Sequence, residues 1–175
     1  MNIYVPDTKP AFYKDIRIWI ADTLSIEVIY SHGDGPRPNG QYAIMNVVNI
    51  SKIVEDEMIF NRDAIGEITA EYNSVKKAMV SINIYRDDAM QAMANLKSSL
   101  SKISTQDYFN RVNIGIVNQG SINNIPEKIG KNWENRSQCD FFFHYIPAVE
   151  KDINVGEIKK IELTDKINDE VINIE

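Results

Sequence analysis

Between Lys77 and Ile103 the hydrophobic period changes once and abruptly. Val80, Ile82 and Ile84 alternate with Ser81, Asn83 and Tyr85, the period-two pattern of a half-buried strand over Lys77–Tyr85. After Arg86, the positions Ala89, Met93, Leu96, Leu100 and Ile103 recur at helical spacing and form one apolar stripe. Asp87 or Asp88 is placed to cap that helix, where a carboxylate also complements the N-terminal dipole. Each element has one dry face that must be buried against another layer, so a helix on a sheet is the architecture the pattern demands.

The rest of the chain repeats the alternation of element types. Thr8 before Lys9 and Pro10 marks a helix start, and Phe12, Ile16, Trp19, Ile20 and Leu24 make the apolar face of a helix over Pro10–Thr23. Ile26–Tyr30 reads as a short strand. His32–Gly40, with its prolines and glycines, can only be a loop. Tyr42–Val54 reads as a long strand with Tyr42, Ile44, Val48 and Ile50 on one face and Ala43, Met45, Val47 and Ile53 on the other, which predicts cover on both sides. Glu55–Asn61 reads as a connection and Glu67–Asn73 as a strand. A short helical turn is expected at Thr105–Arg111, with strands at Ile114–Val117, Cys139–Ile146 and around Ile158, Ile161 and Leu163. The order helix, strands, helix, strands predicts an α+β fold with a mainly antiparallel sheet and two principal helices packed on it.

At 175 residues the chain has the size of one domain. We expect a single domain over residues 1–164 and an acidic, mobile tail over 165–175. No apolar run approaches the ~20 residues of a membrane span, and the N-terminal stretch lacks the apolar segment of a signal peptide. The single cysteine, Cys139, precludes an internal disulfide, which fits folding in a reducing cytoplasm. A net charge of −6 with scattered basic residues disfavours a nucleic-acid binder, which needs cations clustered against phosphate.

No residue pattern points to catalysis, a cofactor or a metal. His32 lies in the loop and His144 in an aromatic strand, neither beside a nucleophile and carboxylate as a triad requires. The pair Asp87 and Asp88 is explained by helix capping, and Asp56 with Glu57 by solvation. Cys139 has no electropositive neighbours to lower its pKa and is expected to pack inside a sheet. Gly33 and Gly35 lack both the third glycine and the following helix of a dinucleotide fingerprint.

Contact residues are easier to nominate. Pro36 and Pro38 stiffen the loop and lower the entropy lost on docking, and Arg37 between them is the natural ionic anchor, although the loop also reads as a plain strand connector. Trp133 stands in the polar segment Lys131–Arg136, either as a core cap or as an interface anchor, with Arg136 beside it.

Three segments in order resemble one family: Pro36-Arg37-Pro38-Asn39-Gly40-Gln41-Tyr42-Ala43, Trp133-Glu134-Asn135-Arg136-Ser137-Gln138-Cys139-Asp140-Phe141, and the Ile158-x-x-Ile161-x-Leu163 pattern. Together with the N-terminal helix and the helix after Tyr85, from about Phe12 to Leu163, the chain resembles the neck or tail terminator proteins of long-tailed bacteriophages. The resemblance implies a non-enzymatic virion protein of the tail and neck, assembled in the host cytoplasm. It implies a homo-oligomer, a hexameric ring on the last ring of the tail tube, which stops tube growth and meets the head–tail connector. DNA would pass through the lumen without specific binding. Other readings are a small ligand-binding or regulatory domain of a cytoplasmic protein, and another ring protein of the tail or baseplate.

Overall fold

The computed structural model describes residues 10–31, 33, 36–53, 57–62, 68–147, 150–153, 161–164 and 171–174. In chain order the elements are α1 (Ala11–Leu24), β1 (Glu27–Tyr30), β2 (Tyr42–Lys52), β3 (Glu57–Arg62), β4 (Ile68–Asn73), β5 (Lys76–Tyr85), α2 (Ala89–Ser99), α3 (Ile103–Arg111), β6 (Ile114–Gln119), β7 (Asn123–Asn124), β8 (Glu127–Ile129), β9 (Asn132–Glu134), β10 (Arg136–Tyr145), β11 (Glu150–Ile153), β12 (Ile161–Thr164) and β13 (Val171–Ile174). They fall into two compact units, Met1–Asp56 with Ser74–Ala148, and Glu57–Asn73 with Val149–Glu175.

The first unit is built on a sheet of order β1-β2-β5-β10-β6, with β7 also paired to β10. Only β1 and β2 run parallel; the other pairs are antiparallel, as expected for this α+β chain. Strand β10 alternates without a break: Ser137, Cys139, Phe141, Phe143 and Tyr145 are buried, and the residues between them are half-buried. Cys139 sits opposite Ile82, Phe141 opposite Val80 and Phe143 opposite Ala78, so both central strands dry the same face. Helix α1 covers that face with Phe12, Ile16, Trp19 and Ile20, and α2 with Ala92, Met93 and Leu96. Aromatic edges fill the seam: the Trp19 ring lies 5.6 Å from Phe141 and 5.4 Å from Phe109, and Phe12 stacks on Tyr145 at 4.2 Å. The one polar atom Trp19 brings inside is satisfied, since Nε1 donates to Ser99 Oγ at 3.0 Å and that hydroxyl donates to the Leu96 carbonyl at 2.6 Å.

The helical expectations need correction first. The stripe Ala89–Ile103 is not one helix. Leu100, Ser101 and Lys102 donate to the carbonyls three residues back, which tightens and ends α2. Ile103 then opens α3 with 76% of its surface exposed, and Phe109 of that third helix supplies the core contact instead. What read as a short helical turn is thus a nine-residue helix. Helix α1 starts after Pro10 with no side-chain cap, while Thr8 lies outside the described residues.

Strand β2 also departs from strict alternation. Its register against β5 slips between Val47, opposite Val80, and Asn49, opposite Met79. The extra residue, Val48, is a β-bulge, so Ile50 joins the face of Ala43 and Met45 rather than that of Tyr42. Beyond the bulge β2 is exposed, so the expected double cover holds only for its first half. An equivalent slip in β6 leaves Val117 unpaired, between Ile116 opposite Phe143 and Asn118 opposite Phe142. Both bulges flank the Met79–Phe142 row, where the ladder bends.

The second unit contains a three-stranded antiparallel sheet of order β11-β4-β3 and an antiparallel pair of β12 with β13. Strand β3 lies where a connection was expected, and β11 was not anticipated because Glu150-Lys151-Asp152 carries no apolar alternation. Val171–Ile174, within the stretch read as tail, pairs with Ile161–Thr164; residues 165–170 and Ile158 lie outside the described residues.

Candidate functional site

Antiparallel pairing brings the start of β2, the end of β5 and the start of β10 to one end of the sheet, since Tyr85 lies opposite both Tyr42 and Arg136. Three connections therefore converge there. They are the Pro36–Gln41 loop, the Arg86–Asp88 turn, and the β8–β9 hairpin with its two-residue Gly130-Lys131 loop. Gly130 takes φ 60°, which a tight hairpin turn requires.

At the centre the rings of Tyr42 and Tyr85 stack at 4.9 Å and 5°. Three guanidiniums lie on them: Arg86 Cζ is 5.0 Å from the Tyr42 ring centre, and Arg37 and Arg136 are 5.6 and 5.5 Å from that of Tyr85. Two glutamates from the hairpin tie the arginines together. Glu134 accepts from Arg86 Nε at 2.6 Å through one oxygen and from Arg37 Nη1 at 2.8 Å through the other. Glu127 is held more loosely, 3.7 Å from Arg37 Nη2 and 3.9 Å from Arg136 Nη1. Arg136 also donates twice to Asn83 Oδ1, at 3.0 and 2.9 Å. Arg86 donates to the carbonyls of Pro38 and Gly40, which pins the loop to the turn.

The turn holds strained backbone. Arg86 and Asp87 have φ of 68° and 41°, a left-handed conformation that costs an L residue on the order of 1–2 kcal/mol. Its neighbours hold it there: Arg86 N–H donates to the Asn135 carbonyl at 2.8 Å, and Asn135 Nδ2 donates to that of Asp87 at 3.0 Å. Asp88, of the two aspartates proposed, caps α2 by accepting from Gln91 N–H at 3.1 Å.

Electrostatics follow from this packing. Burial disfavours the Arg37 charge, but Tyr42, Glu127, Glu134 and Tyr85 outweigh it, and its pKa rises. Burial first, then Glu134 and the facing tyrosine, raise the Tyr42 phenol against the pull of Arg37. Burial also raises Tyr85, against Arg136. The Tyr42 hydroxyl is buried with no hydrogen-bond partner among the described residues.

An open groove of about 460 Å³ borders the cluster, lined by Arg37, Arg86, Ile129, Trp133, Glu134 and Asn135 among others. Trp133 is 69% exposed, which removes the core-cap reading. Of the five residues nominated from sequence, Arg37, Trp133 and Arg136 meet here, Pro38 contributes its carbonyl, and Pro36 stands exposed at the loop entrance. Sequence reasoning missed Arg86, Tyr42, Tyr85, Glu127 and Glu134. Their only advance signal was position, since both tyrosines stand at strand ends beside a polar turn.

The nominated chemistry elsewhere is structural. Cys139 is fully buried in β10, and burial raises its thiol pKa. His144 is a half-buried strand residue, and His32 and Asp56 lie outside the described residues. Among the described residues no group of three or more His, Cys, Asp or Glu is placed to hold a metal ion, and no helix is long and apolar enough to cross a membrane.

Residues 11–171 match the family described as phage neck terminator protein. The chain belongs to that family. As a member it is a structural protein of the bacteriophage tail, located at the neck of the virion, with partners within the tail and the head–tail junction. No curated protein matches the chain in sequence. In this neck terminator family member, the exposed Trp133 stands on the hairpin whose Glu134 pairs with Arg37 and Arg86.

Proposed function

We propose that this chain closes into a ring, as the resemblance implies a hexamer, that caps the tail tube, stops its growth and joins it to the head-side connector. It does so without catalysis, after assembly in the host cytoplasm. In this reading residues 1–164 make up the terminator domain and residues 165–175 its acidic tail. The family match across nearly the whole chain carries the proposal. The arginine–tyrosine end supports it, because Arg37 lines one groove with the exposed Trp133, while Arg136 joins the same ion-paired cluster through Glu127 and the Pro36–Pro38 loop borders it. The net charge of −6 is compatible with a lumen through which DNA slides without being held.

Deleting the gene from its phage tests the function directly. Tails of uncontrolled length, or tails that fail to join heads, are expected; normal particles would overturn it. Light scattering with negative-stain imaging of the purified chain, alone and with tail tubes, tests the ring. Arg37→Ala is expected to weaken assembly without unfolding the protein, and an unchanged ring would remove that loop from the interface.

A further inference from the structure

Helix α3 opens without a cap. Lys102 holds its N-cap position and offers no side-chain acceptor, and the first turn carries no acidic residue. The Lys102 carbonyl takes the amides of Thr105 and Gln106, both at 3.1 Å, while those of Ile103 and Ser104 have no acceptor among the described residues. Those two amides sit at the positive end of the nine-residue helix dipole. Beside them an open cavity of about 390 Å³ is bordered by Asp22 and Thr23 of α1 and by Lys102, Ser104, Thr105 and Arg111.

Thr105 brings a feature that the helix end does not account for. Only 9% of its surface is exposed, it lines the cavity, and its hydroxyl has no hydrogen-bond partner among the described residues. A buried hydroxyl costs free energy unless a polar group meets it, and the cavity is where such a group can enter. Ser99 Oγ, the other deep hydroxyl there, is already engaged by the Trp19 indole and the Leu96 carbonyl. At the rim Lys102 and Arg111 are exposed and, among the described residues, paired with no carboxylate; Arg111 uses only Nε, on the Asp107 carbonyl at 3.3 Å. Asp22 is the one carboxylate on the wall against those two cations.

We propose that this cavity binds a compact oxyanion, a phosphate or carboxylate group, through the N-terminal amides of α3 and the Thr105 hydroxyl, with Lys102 and Arg111 beside it. An oxyanion answers all of these groups at once. Each of its oxygens accepts several bonds, the groups on offer are N–H and O–H donors, and negative charge is favoured at a helix start. A metal ion is disfavoured by the two cations and by the lack of a second carboxylate on the wall. Asp22 opposes the anion, so it limits affinity rather than providing it. Trp19 lines the same cavity and its Nε1 is bonded to Ser99 there, which makes its fluorescence a reporter of occupancy.

Inorganic phosphate titrated at constant ionic strength into the full chain carrying Trp133→Phe, where Trp19 is the sole tryptophan, tests the site. A saturable change in Trp19 fluorescence is expected, and the melting temperature of the unaltered chain should rise along the same curve. Thr105→Val should weaken binding by about tenfold, the weight of one hydrogen bond to a charged group. Asp22→Asn should strengthen it by up to about fivefold, the range of an exposed charge pair. Should Thr105→Val unfold the protein, as judged by circular dichroism, Lys102→Gln with Arg111→Gln replaces it and should also weaken binding, both side chains being exposed. Acetate titrated in the same way separates the sources. Binding as tight as that of phosphate assigns the site to a carboxylate, such as an acidic side chain of another protein, and a flat acetate curve assigns it to phosphate. No saturable change with either anion beyond that of sodium chloride at equal ionic strength overturns the proposal. So does binding that Thr105→Val and the Lys102, Arg111 pair of substitutions leave unchanged.

Discussion

On the helix-covered face of the sheet, Ala78, Val80 and Ile82 meet Phe143, Phe141 and Cys139; on the reverse, Ser81, Asn83 and Tyr85 meet Asp140, Gln138 and Arg136. The two faces belong to the same two strands yet are held by different physics. The first is dry and close-packed, and its strength comes from apolar area and aromatic contact. The second is a ladder of polar bonds, with Gln138 donating to Ser81 Oγ at 3.0 Å and Arg136 to Asn83, ending in the stacked tyrosines under three arginines. Apolar burial therefore concentrates on one face and polar pairing on the other.

That contrast should break first where the core is cut. Phe141→Ala removes a fully buried ring in contact with Trp19 and is expected to cost about 3–5 kcal/mol, read from urea unfolding. A cost near zero would mean that the helices do not rest on this face. Glu134→Ala should cost less, about 1–3 kcal/mol, because it leaves Arg37 and Arg86 without their shared acceptor but in reach of water and the loop carbonyls. A loss as large as that of Phe141→Ala would place the cluster within the core.

A titration separates the regions by a smaller effect. Tyr108 donates to the Asp15 carbonyl at 3.1 Å, and burial, with Asp15 and Asp22, pushes its pKa up from 10.0 to about 12. The neutral phenol is the form the fold favours, so its contribution is complete below pH 10 and is lost as pH rises from 10 through about 12. Alkaline unfolding followed by circular dichroism should shift in Tyr108→Phe, which has no proton to lose; an identical profile would remove Tyr108 from the transition. Trp133→Ala should have the smallest effect on stability, within about 0.5 kcal/mol, since the side chain is mostly exposed. Its effect on assembly should be large, and a variant that assembles normally would strip the hairpin of its role.

The sequence by itself determined α1, the body of α2 and the central strands of the first unit, and most of the membership of its core. Phe12, Ile16, Trp19 and Ile20 on α1, Met93 and Leu96 on α2, and the alternation of β5 follow from periods of 3.6 and 2, which depend only on local backbone geometry. The candidate contact residues could be named singly, because a proline-flanked arginine and a tryptophan in a polar segment are unusual without any partner in view. What only the tertiary structure decided was pairing. Tyr42, Tyr85 and Arg136 share a site because antiparallel register sets them side by side, and Glu134 reaches Arg37 across 97 residues of chain. The bulge at Val48 and the break after Leu100 were equally hidden, since each adjusts a local period to fit neighbouring strands and helices. Register and closure are properties of surfaces meeting, and no single stretch of sequence contains both surfaces.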